Sequence, residues 1–148
     1  KMPVILHLPH VDKLRGTLRI LDIIKAEGLT VERIDVDHNT EETIKHTLDS
    51  GCYAGMTVYP YSKLNPQRVS AMVKQYGHAR VIVNGSADWG VSDPLSLVKV
   101  VNYMRGDGHG EAVIEDLVFN TAMKFYSASP NWKPDFAIQP LDPSVYQR

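Results

Sequence analysis

Three residues with metal-ligand or acid-base chemistry stand at the ends of apolar runs: His7 after Val4-Ile5-Leu6, His38 after Ile34-Asp-Val-Asp37, and Asp88 after Val81-Ile-Val-Asn-Gly-Ser-Ala. Imidazole nitrogens are favoured ligands of zinc and similar divalent cations, and a carboxylate can bind such a cation or take a proton from its bound water. One histidine at a strand end is ordinarily a hydrogen-bonded structural group; three such residues at equivalent strand ends point to a divalent metal, Zn, Mn or Mg, and to hydrolysis. Around them lie residues able to meet a substrate. His10 follows His7 by three positions, Arg15 and Lys63 could hold an anionic group, and Tyr59 and Trp89 flank the same ends. His46 reads as a solvated helix residue, and His78 and His109 as turn residues.

The elements that position these groups alternate. Val4–Leu8 is a short apolar run closed by Pro9, with the composition of a strand buried on both faces. Leu14, Leu18, Leu21 and Ile24 recur at helical spacing until Gly28, a C-terminal glycine. Val31–Val36 is a second strand, and Asn39 or Thr40 is placed to cap the next helix, with Glu41 and Glu42 in its first turn. Residues 53–59 form a third strand, in which Gly55 marks a bulge or a close backbone approach. Asn65-Pro66 opens a third helix with proline at its first position and Val69, Met72, Val73 and Tyr76 inward. Residues 80–84 form a fourth strand, and Ser92-Asp93-Pro94 opens a fourth helix that runs through Leu95, Val98 and Val101 to Met104. Further helix is expected over 111–126, packed through Val113, Ile114, Leu117, Val118 and Phe119. The glycine-rich Gly106–Gly110 follows a helix and lacks Lys-Ser/Thr, so it is not a phosphate loop.

Apolar strands alternating with helices imply an α/β fold with parallel strands. Four strand ends that converge on polar residues favour a (β/α)8 TIM barrel over an open sheet, which gathers such ends only near its switch point. A whole barrel takes about 250 residues, whereas this chain has 148. The expectation is therefore its C-terminal half, strands five to eight, over residues 1–126, followed by an extended tail rich in Pro and aromatic residues over 127–148. The abrupt start at Lys1-Met2-Pro3 also suggests a fragment.

Composition sets outer bounds. At 43% hydrophobic and 22% charged residues the chain has the make-up of a folded domain, and a net charge of -1 draws it to no polyanion. A single cysteine, Cys52, allows no intrachain disulfide, and no apolar run approaches the roughly 20 residues of a membrane span. A soluble, cytoplasmic protein is expected, with no membrane partner.

Pro3-Val-Ile-Leu-His7, Ile34-Asp-Val-Asp-His38 and Val81-Ile-Val-Asn-Gly-Ser-Ala-Asp88-Trp-Gly resemble, in order, the last three metal-binding strands of TatD-like hydrolases in the amidohydrolase superfamily. Leu8–Thr17 and Ser86–Pro94 are the most specific stretches, and Phe119-Asn120 with Ala122 and Phe125 resembles the family's C-terminal helix. The resemblance implies His7 as the ligand on strand five, His38 as the ligand on strand six and Asp88 as the carboxylate on strand eight, Asp88 serving both as ligand and as proton acceptor. Such proteins also use a His-x-His pair on strand one and a carboxylate near strand four. No His-x-His occurs here, so a missing N-terminal half or a second chain is the expected partner. Where nuclease members carry an Arg/Asp pair after the strand-five histidine, this chain has Leu-Pro-His-Val-Asp. A small-molecule substrate is thus favoured over nucleic acid. The competing reading is a noncatalytic half-barrel module that assembles through open strand edges. Under either reading the apolar edge strands, which carry no Lys or Pro, predict self-association of the isolated chain.

Overall fold

The computed structural model describes residues 2–59, 62–86 and 92–133. Four parallel strands, β1 (Val4–His7), β2 (Ile34–Asp37), β3 (Tyr53–Val58) and β4 (Val81–Gly85), pair in the order β1-β2-β3-β4. Between them run α1 (Lys13–Ala26), α2 (Ile44–Asp49) and α3 (Pro66–Tyr76); α4 (Ser96–Gly106) follows β4. The chain then continues through α5 (Glu111–Glu115), a π-helical turn over Asp116–Asn120 and α6 (Thr121–Ser127). Spatial order equals chain order, so each crossover advances one strand in the same direction and the sheet has no switch point. With crossovers of one hand, helices α1 to α3 fall on one face, as in a segment of a (β/α)8 barrel.

The register separates the two faces. Ala54, Met56 and Val58 of β3 lie level with Val81 and Val83 of β4 and pack against α2, α3 and α4 in the main core. Leu6, Leu8, Ile34 and Val36 pack similarly with Ile20, Leu21 and Ile24 of α1. The alternate positions make the opposite face: His7 on β1, Asp35 and Asp37 on β2, Tyr53, Gly55 and Thr57 on β3, Ile82 and Asn84 on β4. This second face turns polar toward the carboxyl ends of the strands. At its amino end Phe125 of α6, fully buried, packs on Tyr53 and Ile82, with ring centroids 5.0 Å apart for the aromatic pair.

Local chemistry accounts for most of the boundaries. Asn65 caps α3, its Oδ1 accepting from the Arg68 backbone N–H at 2.9 Å, with Pro66 at the first helical position. Val69, Met72 and Val73 are buried as the periodicity requires. Other faces differ from expectation. The inward stripe of α4 is Ser96, Val100 and Met104, while Leu95 and Val98 face solvent at 57% and 53% exposure. Small Ser96 faces in because α4 starts hard against the end of β4, where a Cβ on Gly85 would meet Ser96 Oγ at 2.7 Å. Leu18 and Phe119 are likewise exposed. The second helix begins at Ile44 rather than at Asn39 or Thr40, because the Asn39 carboxamide is used inside the core. It donates to the Val36 carbonyl at 2.6 Å and accepts from the Thr43 and Thr47 hydroxyls at 3.0 and 2.9 Å. The two sheet edges are unequal: Val4 and Ile5 of β1 are exposed, whereas Val81, Ile82 and Val83 of β4 are buried. Residues 128–133 follow α6 in turns, with Trp132 stacked on Tyr126. Among the described residues no helix is long and apolar enough to cross a membrane.

Candidate metal centre

At the carboxyl ends of β1 and β2 the side chains of His7, Asp37 and His38 bring three ligand atoms within 4.8 Å of one another. His7 Nδ1 lies 3.1 Å from His38 Nε2 and 3.1 Å from Asp37 Oδ2. The first two were legible as candidates from their types and positions; Asp37 was not among them. Its signal was the alternation Ile34-Asp-Val-Asp37, which places two carboxylates on one face of a strand that is buried throughout.

The backbone aims His38. Its φ of 67° is a left-handed conformation that non-glycine residues rarely adopt, and it turns the ring back toward β1 as the chain leaves β2. Two bonds hold that turn: His38 N–H donates to Asp37 Oδ1 at 2.7 Å, and Asn39 N–H donates to the Gly55 carbonyl at 2.9 Å.

Hydrogen bonds then determine which atoms are left for a cation. Asp37 Oδ1 accepts from His38 N–H, from the Thr57 hydroxyl at 2.9 Å and from Asn84 Nδ2 at 3.2 Å. That oxygen is saturated, which leaves Oδ2 to face the histidines. Thr57 spends its one proton on Asp37, so its oxygen accepts from His38 Nδ1–H at 2.7 Å. His38 is thereby fixed as the Nδ1–H tautomer, with the Nε2 lone pair directed at His7. Burial, aided by the charges of Lys63, His7 and Lys13 and opposed by Asp37, lowers the His38 pKa to about 4, so the ring is a free base at neutral pH. Burial alone would raise the Asp37 carboxyl. Attraction to His38 and the hydrogen bonds from His38 N–H, Asn84 and Thr57 outweigh it and hold the pKa below the usual value.

This donor set fits a divalent cation. Atoms 3.1 Å apart are close to the roughly 3.4 Å edge of a tetrahedron with metal-ligand bonds of about 2.1 Å. Two imidazoles with one carboxylate suit Zn better than Mg.

Gly55 makes room for the arrangement. A Cβ there would sit 2.6 Å from Asp37 Oδ1, 2.9 Å from Asp37 Cα and 3.0 Å from Asp35 Oδ1. The close approach expected from a glycine inside a strand is therefore to β2, within an unbroken β3. Because Asp37 Cα cannot swing aside as a side chain can, Gly55→Ala is expected to cost about 1–3 kcal/mol of stability and to weaken metal binding. Urea denaturation and a metal titration of the variant check this; wild-type values in both would show that β2 yields without consequence.

The other candidates are placed as follows. His10 is exposed and its ring stacks toward His38, with centroids 6.0 Å apart. Tyr59 is half-buried at the end of the third strand with Lys63 Nζ 5.5 Å from its ring centre. Arg15 lies on the outer side of α1, 3.5 Å from Asp12, and borders a separate surface depression with Leu18 and Arg19. Asp88 and Trp89 lie outside the described residues. Of the remaining histidines, His78 pairs with Asp116 at 3.2 Å and His109 meets the buried Ser70 hydroxyl at 2.7 Å, both tying helices together.

The molecule is thus a parallel α/β fold with a candidate metal centre at the carboxyl ends of its strands. No protein-family model matches the chain. It is 29% identical over 127 residues to an uncharacterized metal-dependent hydrolase of Methanocaldococcus jannaschii, an alignment that covers 84% of this chain and 49% of that protein. Its fold is similar to that of a phosphotriesterase homology protein from Escherichia coli, whose crystal structure holds phosphate in the active site. The TM-score is 0.66 at 19% identity, over 84% of this chain and 48% of the other. The chain spans about half the length of each.

Proposed function

We propose that this chain carries part of the active site of a metal-dependent hydrolase of the TatD-like kind, and that it forms strands five to eight of the barrel. The observation that carries this is the convergence of His7 Nδ1, Asp37 Oδ2 and His38 Nε2, with Thr57 fixing the tautomer of His38. The likeness to a metal-dependent hydrolase of M. jannaschii supports it. His7, Asp37 and His38 would hold the divalent cation. When bound, the cation polarises the scissile ester, amide or phosphoester and acidifies the attacking water. Asp88 takes the proton released as the water oxygen bonds to the acyl or phosphoryl centre, and returns it to the leaving oxygen or nitrogen as the old bond breaks. His10, Tyr59, Trp89 and Arg15 are the candidates to meet the substrate.

The rest of the barrel, in this reading, comes from another segment or a second chain. Two features of the sheet support it. The β1 edge exposes Val4 and Ile5, and Asp35 Oδ1, on the polar face, is buried without a hydrogen-bond partner among the described residues. In the intact protein, Asp88→Asn is expected to cut metal-dependent turnover by about 100-fold even at saturating metal. A panel of esters, lactones, phosphoesters and oligonucleotides with added Zn or Mn identifies the bond cleaved. Turnover unchanged in Asp88→Asn removes Asp88 from the proton step, and failure of the intact protein to bind any divalent metal overturns the hydrolase reading.

A further inference from the structure

A cavity of about 160 Å³ opens beside His38, between α1 and the segment that follows β3, with His10, Lys13, Asn39, Thr40, Lys63 and Arg68 on its walls. Its charge is one-sided. Arg68 is already committed, its guanidinium forking onto Glu41 at 2.7 and 2.6 Å. The two lysines are not. Lys13 Nζ donates to the His38 carbonyl at 2.7 Å, and Lys63 Nζ reaches the Ser86 hydroxyl at 3.5 Å and the face of Tyr59. Among the described residues neither ammonium has a carboxylate within ion-pair distance.

Two like charges facing one half-enclosed space repel each other, and a buried charge without a counter-ion is costly. A second, independent feature is Thr40, a residue of the same cavity wall whose hydroxyl is buried without a hydrogen-bond partner among the described residues. Two ammonium groups around a small volume, beside a wall residue with an unsatisfied hydroxyl, are the complement of a compact anion with several acceptor oxygens.

We infer that this cavity is a binding subsite for a compact oxyanion, a phosphate or carboxylate group of the substrate, held by Lys13 and Lys63 directly beside the His7–Asp37–His38 cluster. The word substrate rests on the hydrolase reading; the oxyanion site rests on this chain's own cations. Lys13 links the two, because the same ammonium that faces the cavity holds the carbonyl of His38.

The test is binding of inorganic phosphate and of malonate to the intact protein, made metal-free with chelator and followed by calorimetry. Wild type is expected to bind at least one anion saturably and more weakly as salt rises. Lys13→Gln and Lys63→Gln should each weaken binding at least about tenfold, while Lys63→Arg stays within about threefold, since the charge is kept. Tighter phosphate assigns a phosphoryl-bearing substrate, and tighter malonate a carboxylate-bearing one. No saturable binding to wild type, or equal binding by a folded Lys13→Gln/Lys63→Gln double variant, overturns the subsite. Because the isotherms are read without metal, they stand if the protein proves not to be a hydrolase. Conversely, a metal-loaded active enzyme with flat isotherms loses the subsite alone.

Discussion

Asp37→Asn is expected to lower divalent-metal affinity by at least about 100-fold, beyond what removal of a merely supporting group costs, and turnover of the intact protein with it. The substitution preserves shape, so the reason lies in which end of the new amide faces where. Three donors converge on the Oδ1 position: the His38 N–H, the Thr57 hydroxyl and the Asn84 amide. They select the carboxamide oxygen for that place and send the NH2 group to the Oδ2 position, 3.1 Å from His7 Nδ1. A ligand is thereby exchanged for a hydrogen-bond donor pointing into the metal space. Zinc competition or manganese titration against wild type reads the effect directly. An unchanged affinity would mean that Asp37 supports the site without ligating, and that the cation, if any, rests on other groups.

The same network shows why the sequence was only partly legible. His7 and His38 could be found because an imidazole at the end of an apolar run is chemically conspicuous and strand ends are marked by period and by glycine or proline. Asp37 escaped because its role depends on which way a strand faces, and the register with β1 and β3 decides that. Asp35↔Tyr53 and His7↔Asp37 put the alternate residues of β2 on the face opposite the helices. Thr57 is further from view: it is an unremarkable strand residue until a neighbouring strand brings His38 and Asp37 to it. The helix faces failed for a related reason. Apolar spacing alone would place Leu95 and Val98 inward, but the close start of α4 on β4 admits only a small side chain, so Ser96 took the inward place and rotated the stripe. Asn39 looked like a cap, being polar and just before a helix; its buried amide instead ties β2 to α2 through Thr43 and Thr47. The order of elements is local information. Which face each presents is a property of the packed sheet.

Asp35, one layer below Asp37 on the same face, yields the second large effect, a stability that runs against the usual direction for a carboxylate. Burial first and the charge of Asp37 second raise its pKa from 3.8 to about 7, with the Gly55 backbone N–H pulling the other way. Among the described residues its Oδ1 has no hydrogen-bond partner, and the residue is 3% exposed. Between pH 3.8 and about 7 the folded protein therefore holds a proton that the unfolded chain releases. Stability from this group is full below that window and falls as pH rises through it, by on the order of 4 kcal/mol at most. His38 works in the opposite sense over an overlapping range. Its pKa falls from 6.5 to about 4, so the unfolded chain binds the extra proton there and stability is lost as pH falls. The two contributions oppose each other in wild type, which flattens its profile between about pH 4 and 6.5. Asp35→Asn removes one of them. In chelator, urea denaturation should show the variant gaining on wild type from pH 4 to about pH 7 and levelling off above it, with its own stability now falling toward acid as His38 dictates. Parallel wild-type and variant profiles would show that Asp35 is ionised in the fold and has found a donor for its second oxygen.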